Sequence, residues 1–120
     1  MATAYFSYTS VDLGLAAITA LATWVSAHTG APGNTGANEV TGGSYARVQT
    51  TWAAPVNGSV FGSTVSISIP AGNTILGWGV WDSPLAPGGN YGAGYLLPVS
   101  GGYFATDGVV QITPVLTGMG

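Results

Sequence analysis

Lysine and cysteine are absent from this 120-residue chain, and Arg47 is its only strong cation. Without cysteine there is no disulfide framework and no thiolate metal site. Asp12, Glu39, Asp82 and Asp107 are the only acids, so charged residues make up 4% of the chain. An average soluble domain carries about 25%. Binding to nucleic acid draws on several lysines and arginines that neutralise phosphates, and one arginine cannot supply that. Anionic membrane surfaces are excluded by the same reasoning. The four acids are scattered, whereas a hard cation needs clustered oxygen ligands. No long apolar run is present either: residues 13–25 are nearly all apolar, but a span needs about 20 such residues. No basic residue precedes Ala16, so no secretory leader is expected. A surface normally stays wet by carrying mixed charge. Here neutral Ser, Thr, Asn and Gly must do so, or a partner must cover much of the surface. That favours a component of a larger assembly over a freely diffusing catalyst.

What is present is enough for a core. Hydrophobic residues are 47%, which with the low net charge of −3 argues against disorder. The 20 glycines and 7 prolines fall between apolar runs, as turn punctuation, without the period of collagen. The length allows one domain, read as residues 10–120, preceded by an aromatic arm at residues 1–9 containing Tyr5, Phe6 and Tyr8. Ser10 is a plausible helix N-cap with Asp12 in the first turn. Val11, Leu15, Ile18 and Leu21 then recur at helical spacing, giving a helix over residues 11–21 that Gly14 weakens. Alternation resumes at residues 23–29, a strand. Residues 30–43 form a long Gly/Asn/Thr/Pro loop, and loops of that length are often functional. Residues 44–54 read as a strand with Tyr45, Arg47, Gln49 and Thr51 on one face.

After a turn at residues 55–58, residues 63–70 show the cleanest period of two, with Val65, Ile67 and Ile69 inward. Residues 74–81 are apolar enough for a central strand covered on both faces. Residues 82–92 are a Pro/Gly loop. Residues 94–99 and 109–115 are further strands, whose Pro98 and Pro114 mark edges or ends, and residues 103–105 add a short piece. The expected fold is mainly β: an antiparallel β-sandwich or barrel with one short N-terminal α-helix, and no internal repeat.

Each candidate for chemistry has a plainer alternative. His28 is the only histidine, with no nucleophile motif or second histidine beside it in sequence. It is expected to be a hydrogen-bonded structural residue at a strand end. Asp82 and Asp107 could be weighed as the paired carboxylates of a glycosidase, but Asp107-Gly108 and Asp82-Ser83-Pro84 are turn sequences. Glu39 and Arg47 flank a turn-rich stretch. A guanidinium has five donors that can latch a loop through a carboxylate and carbonyls, so the pair is expected to be a structural clasp. The alternative is an Arg47 that recognises an acidic partner. Trp24, Trp52, Trp78 and Trp81 offer stacking faces. Trp78 and Trp81 have opposite parity, so the outward one is expected to contact the helix or another chain. No cofactor motif and no catalytic or metal site is found.

The stretch from His28 to Arg47 reads His-Thr-Gly-Ala-Pro-Gly-Asn-Thr-Gly-Ala-Asn-Glu-Val-Thr-Gly-Gly-Ser-Tyr-Ala-Arg. Together with Ile-Pro-Ala-Gly-Asn-Thr at residues 69–74 and Gly-Val-Trp-Asp at residues 79–82, it resembles a family of small tailed-bacteriophage virion proteins. That family includes tail-fibre, minor tail and head decoration proteins. The resemblance covers roughly residues 10–116; residues 1–9 and 83–90 depart from the pattern. It implies a structural role and no catalytic residues. The favoured expectation is a capsid decoration (cement) protein, bound to the outside of the major capsid protein lattice. Self-association is expected as well, as a trimer for example. The alternative is a minor tail or tail-fibre protein in contact with the host, and a polysaccharide depolymerase ranks third. The expected contact surfaces are Tyr5, Phe6 and Tyr8; Pro32, Asn34 and Ala37 in the long loop; and Pro84, Pro87, Asn90 and Tyr91.

Overall fold

The computed structural model describes residues 7–97 and 102–118. Tyr5, Phe6 and Pro98 lie outside them. The helix, α1, runs Tyr8–Leu21. Its N-cap is Ser7, not Ser10: extended Ser7 accepts a hydrogen bond from Ser10 N at 3.2 Å. The helix therefore takes in Tyr8 and Thr9, and Asp12 falls beyond the first turn. The Asp12 carboxylate meets no helix dipole there and instead accepts from Gly58 N at 2.7 Å. Leu15, Thr19 and the C-cap Ala22 are buried. The indole N–H of Trp52 donates to Ala22 O, which satisfies a carbonyl at the helix end.

Ten antiparallel strands follow: β1 Trp24–His28, β2 Val48–Gln49, β3 Ser59–Phe61, β4 Val65–Ile69, β5 Asn73–Thr74, β6 Gly77–Trp81, β7 Tyr91–Leu96, β8 Tyr103–Phe104, β9 Gly108–Ile112 and β10 Val115–Thr117. They form a four-stranded sheet in the order β2-β1-β6-β7 and the pairs β10-β3, β4-β9 and β5-β8. The mainly β fold with one helix matches the sequence expectation. In β4, Val65, Ile67 and Ile69 point inward as the alternation predicts. β6 is central and buried at all five positions.

Other boundaries move for local reasons. The strand expected over residues 44–54 shrinks to β2 plus a bridge between Trp52 and Gly62. Thr50 N still bonds to Thr23 O in register with β1, but beyond it Thr51 N turns to the Ser63 hydroxyl, and ahead of β2 Tyr45 N closes on Gly42 O. The strand expected over residues 94–99 starts earlier, at Tyr91. The one expected over residues 109–115 divides into β9 and β10 around Thr113 and the buried Pro114. Proline has no N–H for a ladder, and its carbonyl accepts from Gly62 N. The core gathers Val25, Ala27, Trp78 and Val80 from the central sheet with Ile67, Ile69, Ile112 and Leu116 from the strand pairs.

Candidate functional site

Side chains alternate along β1, so Val25 and Ala27 enter the core while Trp24, Ser26 and His28 take the opposite face. That second face is covered too: Ser26 and His28 have no exposure at all. Residues 30–47 lie over it. Such a covering brings polar groups out of water, and each then needs a partner. His28 Nδ1 lies 2.6 Å from Ala37 O. A carbonyl only accepts, so Nδ1 carries the proton and Nε2 accepts from the Ser26 hydroxyl at 2.7 Å. Ser26 Oγ in turn accepts from the Trp81 indole N–H at 2.8 Å. Burial lowers the His28 pKa, and Arg47 lowers it further, against the opposing Ala37 bond and Glu39 charge. The Ser26–His28 spacing is that of an activated serine. Both side chains are at zero exposure, so the hydroxyl is enclosed.

Close approach of the loop depends on missing side chains. A Cβ on Gly79 would lie 2.9 Å from Ser26 Oγ and 3.1 Å from His28 Nε2. A Cβ on Gly36 would lie 2.5 Å from the Trp81 ring.

The structure brings Glu39 and Arg47 together at the rim of this layer. Arg47 Nε donates to Glu39 Oε2 and Nη2 to Oε1, both at 2.8 Å, a bidentate pair. Its Nη1 donates to Ser83 O at 2.9 Å and Gly88 O at 3.0 Å, and the guanidinium stacks on Trp81 at 3.9 Å. The Arg47 side chain is fully covered. Glu39 Oε2 also accepts from the Tyr45 hydroxyl at 2.6 Å, and that hydroxyl accepts from Ala27 N. Burial, then the carboxylate beside it, pushes the Tyr45 pKa far up, so the phenol stays a donor. One side chain thus ties together the long loop, the end of β6 and the loop at residues 82–90. Trp81, the outward tryptophan of β6, is covered by this clasp and by Tyr91 at 5.2 Å, in place of the helix or second chain expected from parity.

The remaining acids also serve backbone. Asp82 accepts from Asn90 N at 2.6 Å and Asn90 Nδ2 at 2.9 Å, contacts that lower its pKa. Asp107 accepts from Ala71 N at 2.9 Å. Asp82 and Asp107 therefore close separate loops and do not pair. Among the described residues no group of acids and histidine is arranged to hold a metal ion. The expected contact residues divide. Tyr8 is 59% exposed, and Asn34, Ala37, Pro84, Pro87 and Asn90 are exposed. Pro32 is buried against the backbone of β6 and β7, and Tyr91 is half-buried with its hydroxyl on Gly33 O, so these two offer little surface. Composition cannot reveal the Ser26–His28–Trp81 chain. The available signal is glycine at positions 77 and 79, opposite His28 and Ser26.

The family described as Podophage GP4 fiber I protein gp80 matches residues 3–113. This chain belongs to that family. The match covers the clasp, the buried histidine layer and nearly all of the sheet. It makes the chain a phage virion protein of a fibre family and favours the tail-fibre alternative over the capsid decoration expectation. No curated protein matches the sequence.

Proposed function

We infer that this chain is a non-enzymatic structural module of a phage tail fibre, assembling with other virion proteins or with its own copies through uncharged surfaces. Membership of the fibre family over residues 3–113 carries the reading. The geometry supports it: Arg47 and all four acids are engaged within the chain, so recognition falls to neutral groups. Tyr8, Asn34, Ala37 and the loop bearing Pro84 and Pro87 are the surfaces we assign to contact. Apolar area buried there contributes roughly 25 cal/mol per Å² before the losses of association. Copy number and location test it. Quantitative mass spectrometry of purified virions, with antibody labelling in cryo-EM, should find the chain at the tail in far fewer copies than the major capsid protein. Stoichiometric labelling of the capsid surface would overturn the fibre assignment.

A further inference from the structure

The turn Val56-Asn57-Gly58-Ser59 holds a reactive sequence. Val56 N bonds to Ser59 O at 2.8 Å and Ser59 N to Val56 O at 3.1 Å, closing a two-residue hairpin. Asn57 (φ 50°) and Gly58 (φ 83°) both have positive φ, as a type I′ turn requires. In an open chain, an Asn-Gly amide cyclises. The Gly nitrogen loses its proton to water or hydroxide and attacks the Asn side-chain carbon. Ammonia leaves, and the succinimide takes up water to give aspartate or isoaspartate. Asn57 itself is exposed, so its amide is open to that chemistry.

Gly58 is not open. It is buried, and its N–H donates to Asp12 Oδ1 of α1 at 2.7 Å. A Cβ there would touch the Tyr8 ring at 3.2 Å, so the first turns of the helix sit directly on it. A carboxylate holding the amide proton opposes formation of the anionic nitrogen, and the hairpin fixes the Asn57 backbone. We propose that Asn57–Gly58 is a self-modification site held shut by Asp12. Undocking of the start of α1 frees the Gly58 nitrogen, and the bond rearrangement then records that event irreversibly. Isoaspartate adds a carbon to the main chain, which a two-residue turn cannot absorb, so a chain converted to isoaspartate does not regain the Val56–Ser59 bridge, whereas the aspartate product keeps the original backbone.

The test is peptide mapping of the full chain after incubation in mildly alkaline buffer, with the peptide Val-Asn-Gly-Ser as reference. A hydrogen bond to a charged acceptor is worth about 1.5–3 kcal/mol, so the folded chain should convert roughly tenfold or more slowly than the peptide. Asp12→Ala should restore much of that rate at Asn57 while the exposed Asn34 converts as before. Where Asp12→Ala does not fold, wild-type protein in graded mild denaturant replaces it, and conversion should then track hydrogen exchange of the Gly58 amide. Conversion of the folded wild type at the peptide rate overturns the proposal. So does an unchanged rate in folded Asp12→Ala, or conversion independent of Gly58 exchange.

Discussion

The two faces of the β1–β6 pair at the centre of the sheet are both closed to water, by opposite means. On one, Val25, Ala27, Trp78 and Val80 meet the aliphatic residues of β4 and β9. On the other, Ser26, His28 and Trp81 meet a loop through directed bonds, and Arg47 fastens the rim. The aliphatic face tolerates imprecision, since dispersion and burial are non-directional. The polar face does not, because each lost partner strands a buried group. No buried side-chain polar atom among the described residues lacks a partner, so the polar layer is complete as built.

Breaking the clasp should separate the faces most sharply. Arg47→Met leaves Glu39 nearly buried without its cation, a loss of roughly 3–5 kcal/mol. Denaturant unfolding should show it. Hydrogen exchange should rise first at Gly36, Val40 and Asn90, while β4 and β9 amides follow only global unfolding. Equal exposure of both regions at low denaturant would mean the clasp is not local. Ile67→Ala attacks the other face and should remove about 2–5 kcal/mol, with protection falling across the whole molecule. Gly79→Ala crowds the polar layer from beneath, with an expected penalty of about 1–3 kcal/mol. Its tryptophan emission should shift as the Trp81–Ser26 bond is displaced.

Acid sharpens the contrast more gently. The folded His28 pKa lies below the unfolded value of 6.5. As pH falls, the unfolded chain takes the proton first. Stability is therefore full above about 6.5, declines as pH falls toward the folded pKa, and levels off beneath it. His28→Gln should flatten that segment of the pH profile, and an unaltered slope would assign it elsewhere. The smallest effect belongs to salt. At about 1 M, where the screening length is near 3 Å, a desolvated pair is little affected, so stability should change by less than about 1 kcal/mol.

The aliphatic half is the more legible in sequence. Val65, Ile67 and Ile69 announce their face by alternation, and β6 reads as a covered strand because no charge interrupts it. The polar half hides, because Ser26 and His28 look like a solvent-facing stripe. Only a residue far along the chain, Arg47, with the loop it restrains, makes them interior. The Glu39–Arg47 partnership can be inferred because each residue type occurs once. Its carbonyl acceptors at Ser83 and Gly88 cannot, since backbone oxygens leave no mark in sequence. Ser7 is hidden as the N-cap because Ser10 stands next to the first apolar residue. The alternation around β2 overstates its length because side-chain hydroxyls take backbone donors from the ladder: Tyr45 accepts from Ala27 N and Ser63 from Thr51 N.

The buried guanidinium has a last consequence, for proteolysis. Trypsin cleaves after lysine or arginine, and this chain offers it a single bond, Arg47–Val48. With the Arg47 side chain fully enclosed, that bond is out of the protease's reach while the layer is shut. Digestion then becomes a direct gauge of how often the covering loop lifts away, in a protein that trypsin otherwise cannot cut.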